Sequence, residues 1–223
     1  MLRDKLRERL IELPLFQGMS MADVDNAATK AKFRCTDFAK GKTIVEEGGL
    51  CDCLFFLLEG VVNVTGYADD KGYSITETLS APDIIQPERI FGLTQRYART
   101  VTAKTDCTFV CICKKDFSSL SDEFEIFRLN LLNMVCTQSQ RLSRLPWRTE
   151  PTNIRHKIAR FVKERSLKPA GMKILNIKME RLSREIGESR LNTSRELNSM
   201  KEQGIISLRR GEIQIDALEK LMM

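Results

Sequence analysis

The spacing of hydrophobic positions changes character three times along the chain. A first helix candidate runs from the start to Leu13, where Pro14 stops it. Ser20 then sits as a helix N-cap, and Asp23 three residues later completes a variant of the capping box. From Phe33 to about Cys113 the pattern becomes short segments rich in β-branched and aromatic residues: Thr43–Val45, Leu54–Leu58, Val61–Val64, Ser74–Leu79 and Thr108–Cys113. Gly41, Gly48-Gly49, Gly60 and Asp69-Asp70-Lys71-Gly72 separate them. Short strands between turn signals predict an antiparallel sandwich or barrel.

Beyond Lys115 the helical period returns. Phe124, Leu131, Val135, Gln138, Leu142 and Leu145 form one stripe, spaced 4-3-4-3 from Leu131 onward, as in a coiled-coil seam. Phe127, Leu129, Leu132 and Cys136 form a second stripe, expected to face the strands. A helix with two apolar faces needs two partners, so a two-fold mate is the economical reading; a helix sandwiched inside one large domain is the alternative. Leu131, Val135, Gln138, Leu142 and Leu145 are the expected dimer contacts. Pro146 and Pro151 then mark a hinge, and a helix follows over about Asn153–Leu167.

The most specific pattern lies near the C-terminus. Met179–Ile186, Gly187-Glu188-Ser189 and Arg190–Lys201 read as helix, tight turn and second helix, the spacing of a helix-turn-helix. Thr193, Leu197 and Met200 are expected to pack inward, leaving Arg190, Leu191, Asn192, Ser194, Arg195 and Asn198 on the outer side. Arginines one turn apart suit bidentate contact with guanine O6 and N7. Ser189 at the N-cap can serve the helix and a phosphate, because helix N-termini bind anions. Ile205–Leu208 and Ile213–Ile215 flank Arg209-Arg210-Gly211-Glu212, which makes a basic-tipped hairpin and completes a winged helix. Charge agrees: residues 148–223 carry 17 Lys/Arg against 10 Asp/Glu, whereas residues 1–147 carry 19 against 20. A polyanion partner, double-stranded DNA, should therefore meet the C-terminal third.

Other classes fit less well. Apolar runs of the Leu54–Leu58 kind fall far short of the ~20 residues of a membrane span. The N-terminus is charged throughout, so no signal-peptide core is read; a cytoplasmic protein with no membrane partner is expected. Seven cysteines without paired metal-ligand spacing point to reduced thiols rather than a disulfide framework or zinc site. The single histidine, His156, cannot build a histidine metal cluster, and no nucleophile–base–orienter set can be assembled. No metal, cofactor or catalytic residue is expected, and the chain is not read as an enzyme.

These features together resemble the CRP/FNR superfamily of dimeric bacterial transcription regulators. The resemblance runs from Pro14 to Ile215 through PLFQGMSMADV, the turns at Gly48 and Gly60, Lys114-Lys115-Asp116-Phe117, the long helix and LSREIGESRLNTSREL. It implies an α+β fold: a jelly-roll-like double-stranded β-roll sensor at 1–117, a dimerisation helix at 118–146 and a winged helix-turn-helix at 147–223. It also implies a homodimer on palindromic operators, RNA polymerase as a partner, base contacts by Arg190 and Arg195, and wing contacts by Arg209 and Arg210. Leu191 stands where the family often has glutamate, and leucine cannot accept from cytosine N4, so a different half-site is expected.

The sensor pocket departs from the pattern. Cyclic-nucleotide-binding members carry a Gly-Glu-Leu turn and, about ten residues later, an arginine followed by serine or alanine. Here either Gln86-Pro87-Glu88 and Tyr97-Ala98, or Pro87-Glu88-Arg89 and Arg99-Thr100, take those places. Proline removes a backbone donor that a phosphate nest requires, so regulation by cyclic AMP is not expected. Glu88, Arg89, Arg99 and Thr100, with Ser143 on the long helix, are the candidate effector residues. Glu88, Arg89, Arg96 and Arg99 are expected to pair as a ligand-free plug or to receive another small-molecule anion. Two rival readings stay open: a ligand-binding regulator with weak DNA binding, and a redox or metal sensor using the cysteines. The iron–sulfur cysteine cluster of redox members is absent from residues 1–34, and Cys107, Cys111 and Cys113 are read as small hydrophobes in one strand.

Overall fold

The computed structural model describes residues 7–222, so the first six positions of the N-terminal helix candidate lie outside the described residues; 7–10 are helical and turns follow. Ser20 caps helix α1 (Met21–Lys30), its Oγ accepting from the Asp23 amide at 3.1 Å. The strands that follow are β1 (Arg34–Phe38), β2 (Thr43–Val45), β3 (Cys53–Glu59), β4 (Val61–Tyr67), β5 (Tyr73–Ser80), β6 (Asp83–Ile84), β7 (Thr100–Ala103) and β8 (Cys107–Cys113). Seven strand pairings of defined register are antiparallel. The expected segments each became a strand, lengthened by a residue or more except Thr43–Val45. Strand β1 was not read because its side chains are mostly exposed and polar, which erases the alternation.

Among the described residues the chain divides into two compact units that no single cut in the sequence separates: residues 7–63 with 79–144, and residues 64–78 with 145–222. In the first, a four-stranded sheet runs β1-β8-β3-β6. Its core is aromatic: Phe16 packs edge-on against Phe56 at 6.0 Å and Phe127 at 5.1 Å, and Phe127 against Phe117 at 5.3 Å. Gly60 is required at the β3–β4 turn. Its φ is +95°, and a Cβ there would stand 2.4 Å from the Asp106 carbonyl oxygen.

The long helix is interrupted. Helix α2 (Lys114–Glu123) ends where Phe124 adopts extended φ and ψ, and α3 (Glu125–Ser143) starts anew. The Asn130 side-chain amide donates to the carbonyls of Leu15 (3.1 Å) and Gln17 (2.9 Å), fixing the first turns of α3 against the N-terminal segment. The two apolar stripes divide differently from expectation. Phe127 is buried and Leu131, Gln138 and Leu145 are half-buried, whereas Leu129, Leu132 and Cys136, expected to face the strands, are exposed. Val135 and Leu142 are exposed as well. The inner face passes through 127, 131, 134 and 138, a stripe of the same 4-3-4 spacing set by where α3 restarts after Phe124.

The second unit contains α4 (Ile154–Glu164), β9 (Lys173–Ile177), α5 (Met179–Glu185), α6 (Arg190–Glu202), β10 (Ile206–Arg209) and β11 (Glu212–Ile215). Ile158, Val162, Leu175, Leu182, Leu197, Met200, Ile213 and Ile215 share its buried core with Ile75 of β5. Strand β9 was missed by the sequence reading, and the sheet order β10-β11-β9-β5 places it at the centre of this unit.

Candidate nucleic-acid interface and sensor turn

The helix-turn-helix is built by local rules. Helix α5 ends at Ile186, Gly187 takes φ +66°, and Ser189 starts α6. The Ser189 Oγ accepts from the Asn192 amide at 3.1 Å, so the cap role is realised. Thr193, Leu197 and Met200 are buried as expected, and the Thr193 hydroxyl donates to the Ser189 carbonyl at 2.9 Å. Ser189, Arg190, Leu191, Asn192, Arg195 and Asn198 are exposed on one side and Ser194 is half-buried beside them.

The acids near this face are neutralised from α4. Lys157 pairs with Glu188 at 2.7 Å, and Arg155 pairs with Glu196 at 3.0 Å while also donating to Gln203 at 2.8 Å. These links hold both ends of α6 and remove two negative charges from the surface a phosphate would meet. Arg190 and Arg195 make no ion pair or hydrogen bond among the described residues. In the hairpin, Arg209 leans on Glu212 at 3.6 Å and Arg210 is exposed at the tip beside Gly211. The four basic residues named from the sequence thus fall on one unit.

The sensor turn is organised around a residue placed at the turn by one alignment but not named among the candidate effector residues. Gln86 adopts the left-handed conformation (φ +44°) ahead of a short 3₁₀ turn at Pro87–Arg89, and it is buried. Its Oε1 accepts from the amides of Ala98 (2.8 Å) and Arg99 (3.1 Å), and its Nε2 donates to the Arg99 carbonyl at 2.9 Å. The expected plug of mutually paired Glu88, Arg89, Arg96 and Arg99 loses Arg96. Arg96 donates instead to the Gly48 carbonyl at 2.7 Å, and Glu88 and Arg89 approach each other at 3.7 Å. Thr100 accepts the Glu47 amide at 3.1 Å, and Ser143 is exposed and donates to Gln140 on its own helix. A side-chain amide fills this cradle more cheaply than ions, because it saturates three backbone groups without burying charge. The clue in the sequence was an amide residue immediately before the proline of a degenerate turn.

The cysteines are free. Cys51, Cys107 and Cys111 are buried, and Cys53 and Cys113 face each other across β3 and β8. Burial pushes the Cys53 thiol up to about 11, with Asp52 adding to the effect, and burial raises Cys111 against the opposing pull of Arg34. Among the described residues no group of three or more histidines, cysteines or acids is arranged to hold a metal ion. No helix among them is long and apolar enough to cross a membrane.

Comparison with known proteins agrees with this geometry. Residues 35–124 match the family described as cyclic nucleotide-binding domain, and residues 156–223 the Crp-like helix-turn-helix domain. Over 176 residues the chain is 25% identical to the cAMP-activated global transcriptional regulator Vfr of Pseudomonas aeruginosa, covering 75% of this chain and 82% of that one. The catabolite activator protein of Thermus thermophilus superposes with a TM-score of 0.54 at 19% identity, over 94% of this chain and 96% of its own. The sensor domain of the regulator DNR from Pseudomonas aeruginosa gives 0.55 at 16% identity, over 68% of this chain and 98% of its own. Both structural likenesses bear on the fold alone.

Proposed function

Because the chain belongs to the CRP/FNR family of transcription regulators, we propose that it binds palindromic operators as a homodimer and does so without cyclic AMP. The observation that carries the DNA-reading part is the outer face of α6: Arg190 and Arg195, exposed and uncommitted, beside acids already paired from α4. Side chains at this spacing reach base edges in a major groove, while Arg209 and Arg210 at the wing meet backbone phosphates.

Dimerisation is supported by the exposed apolar side chains of α3, among them Leu129, Leu132 and Leu142, the last two 49% and 54% exposed. A soluble chain covers such a stripe, and a second copy of the same helix does so with two-fold symmetry. The proposed seam centres on the exposed Leu129, Leu132, Val135 and Leu142, with the half-buried Leu131, Gln138 and Leu145 along its edge. Independence from cyclic AMP is supported by Gln86, whose amide already occupies the Ala98 and Arg99 donors.

Light scattering joined to a DNA titration tests the reading. Wild-type protein should be dimeric at micromolar concentration and should bind duplex DNA with log K falling by roughly 0.9 per neutralised phosphate as log salt rises. Leu132→Asp should give monomers that have lost tight binding. Calorimetry with millimolar cyclic AMP or cyclic GMP should show no saturable heat and no change in DNA affinity. A micromolar dissociation constant for either nucleotide, with a matching rise in DNA affinity, would restore effector control of the usual kind.

A further inference from the structure

Strand β5 begins in residues that belong, by their packing, to the DNA-reading unit, although the sequence carries them in the middle of the roll. It pairs antiparallel with β9 over five consecutive positions, Tyr73↔Ile177 through Glu77↔Lys173. One face of this stretch is built for the interior of the winged helix. Ile75 is 2% exposed and lies in the core with Ile158, Val162 and Leu175. Tyr73 stacks on Phe161 at 5.3 Å and accepts from Arg165 Nε at 2.8 Å.

The next inward position is a charge. Glu77 is 1% exposed and Lys173 2%, and they pair at 2.9 Å. The two carboxylate oxygens of Glu77 also accept the amides of Leu167 and Lys168, and the Lys173 ammonium donates to the Ala170 carbonyl at 2.8 Å. Glu77 therefore closes the segment that joins α4 to β9, and Lys173 is compensated by it. Nearer the turn, Asp70 pairs with Arg181 of α5 at 2.8 Å. A buried lysine stripped of its carboxylate is strongly unfavourable, and a central strand stripped of its neighbour presents an unpaired edge.

We propose that the DNA reader is a composite domain: β5, carried by the hairpin of the roll, is the obligatory neighbour of β9, and DNA binding requires that strand in register on β9. The inference rests on the DNA-reading function given above and supplies its regulation. The chain passes between the two units at three places, at 63/64, 78/79 and 144/145, so the reader is tied to the roll by a hairpin as well as by the proline-containing linker. An event in the roll that shifts the hairpin acts on the sheet behind α6 directly.

The test uses the full chain, amide hydrogen exchange, and fluorescein-labelled duplex DNA of mixed sequence at low salt. In Glu77→Ala, protection of the β9 and β11 amides should fall by at least about 100-fold while β3 and β8 keep theirs, because one partner of a buried pair is left alone. DNA affinity should fall together with it, by about 10-fold or more. The Asn176 amide lies 3.5 Å from the Ser74 hydroxyl directly across the two strands. Adding Ser74→Cys and Asn176→Cys to Glu77→Ala should restore protection and affinity when oxidised by excess oxidised glutathione and lose both on reduction, with oxidised wild type controlling for the native thiols. Should Glu77→Ala not fold, Ile75→Ala is read in the same two assays. Unchanged β9 protection would overturn the proposal, as would lost protection with DNA affinity unchanged or increased. Wild type that bound no duplex DNA would count against the DNA-reading function itself, and that outcome is seen before any substitution is made.

Discussion

Two places in this chain set backbone or side-chain donors where an anion belongs, and they have opposite fates. At the sensor turn, the Ala98 and Arg99 amides are taken up by the buried Gln86 side chain. On α6, Arg190 and Arg195 face solvent while the neighbouring acids are held by Lys157 and Arg155. A ligand at a site whose donors are saturated from within binds more weakly, because it must first displace a partner already held at high effective concentration. A site whose cations lack partners gains each contact anew. In the function proposed above, α6 is the part that recognises and the turn at Gln86 the part that is internally fixed.

The largest expected effect is on the open site. Arg195→Ala should cost ~1–3 kcal/mol on a selected operator and relax the preference at one base position per half-site, measured by selection from a random duplex library followed by anisotropy. Equal losses on operator and random DNA would reassign Arg195 to the phosphates. Next is the closed site. Gln86→Ala takes the acceptor from the amides of half-buried Ala98 and Arg99, at a cost of about 1 kcal/mol in all, which for a chain of this size is a fall in Tm of about 2–4 °C. Tens of millimolar phosphate should recover part of that loss in the variant and none in wild type, as followed by thermal melts. A variant as stable as wild type would show that the Gln86 bonds contribute nothing.

Much of the open site was legible in the sequence and little of the closed one was. Helix-turn-helix spacing, the Ser189 cap and the inward trio Thr193, Leu197 and Met200 follow from periodicity and local capping, which act within a few residues. Gln86 and the β5–β9 pairing bring together groups 12 and about 100 positions apart in the chain, and no local rule anticipates them. The inward face of α3 was misplaced for a related reason. Heptad spacing located apolar residues correctly, but which of two adjacent stripes turns inward depends on where α3 restarts after the break at Phe124 and on the Asn130 anchor.

The wing lies between these extremes, because one of its arginines is partly committed and the other is free. Arg209 has Glu212 at 3.6 Å, whereas Arg210 has no partner among the described residues. Arg210→Ala should lower the salt slope of DNA binding by nearly one unit across all sequences, and Arg209→Ala by less, because it also unmasks an acid. Anisotropy at several salt concentrations on random duplex resolves the two. Equal slopes would mean that Glu212 releases Arg209 on binding.

The smallest effect concerns the thiols of the roll, which extend the pattern of internal commitment. Burial raises Cys53 from 9.0 to about 11 in the folded protein. A thiol whose folded value lies above its unfolded value contributes stability that is complete below about pH 9 and is lost as pH rises through about 11, since only the unfolded chain ionises freely in between. Cys53 should thus remain a thiol at pH 8 and react slowly with iodoacetamide, while the exposed Cys35 and Cys136 are alkylated first. Mass spectrometry of tryptic peptides after timed labelling reads the order. Labelling of Cys53 at pH 8 as fast as Cys136 would break the parallel with the sensor turn and reopen a redox role for the β3–β8 pair.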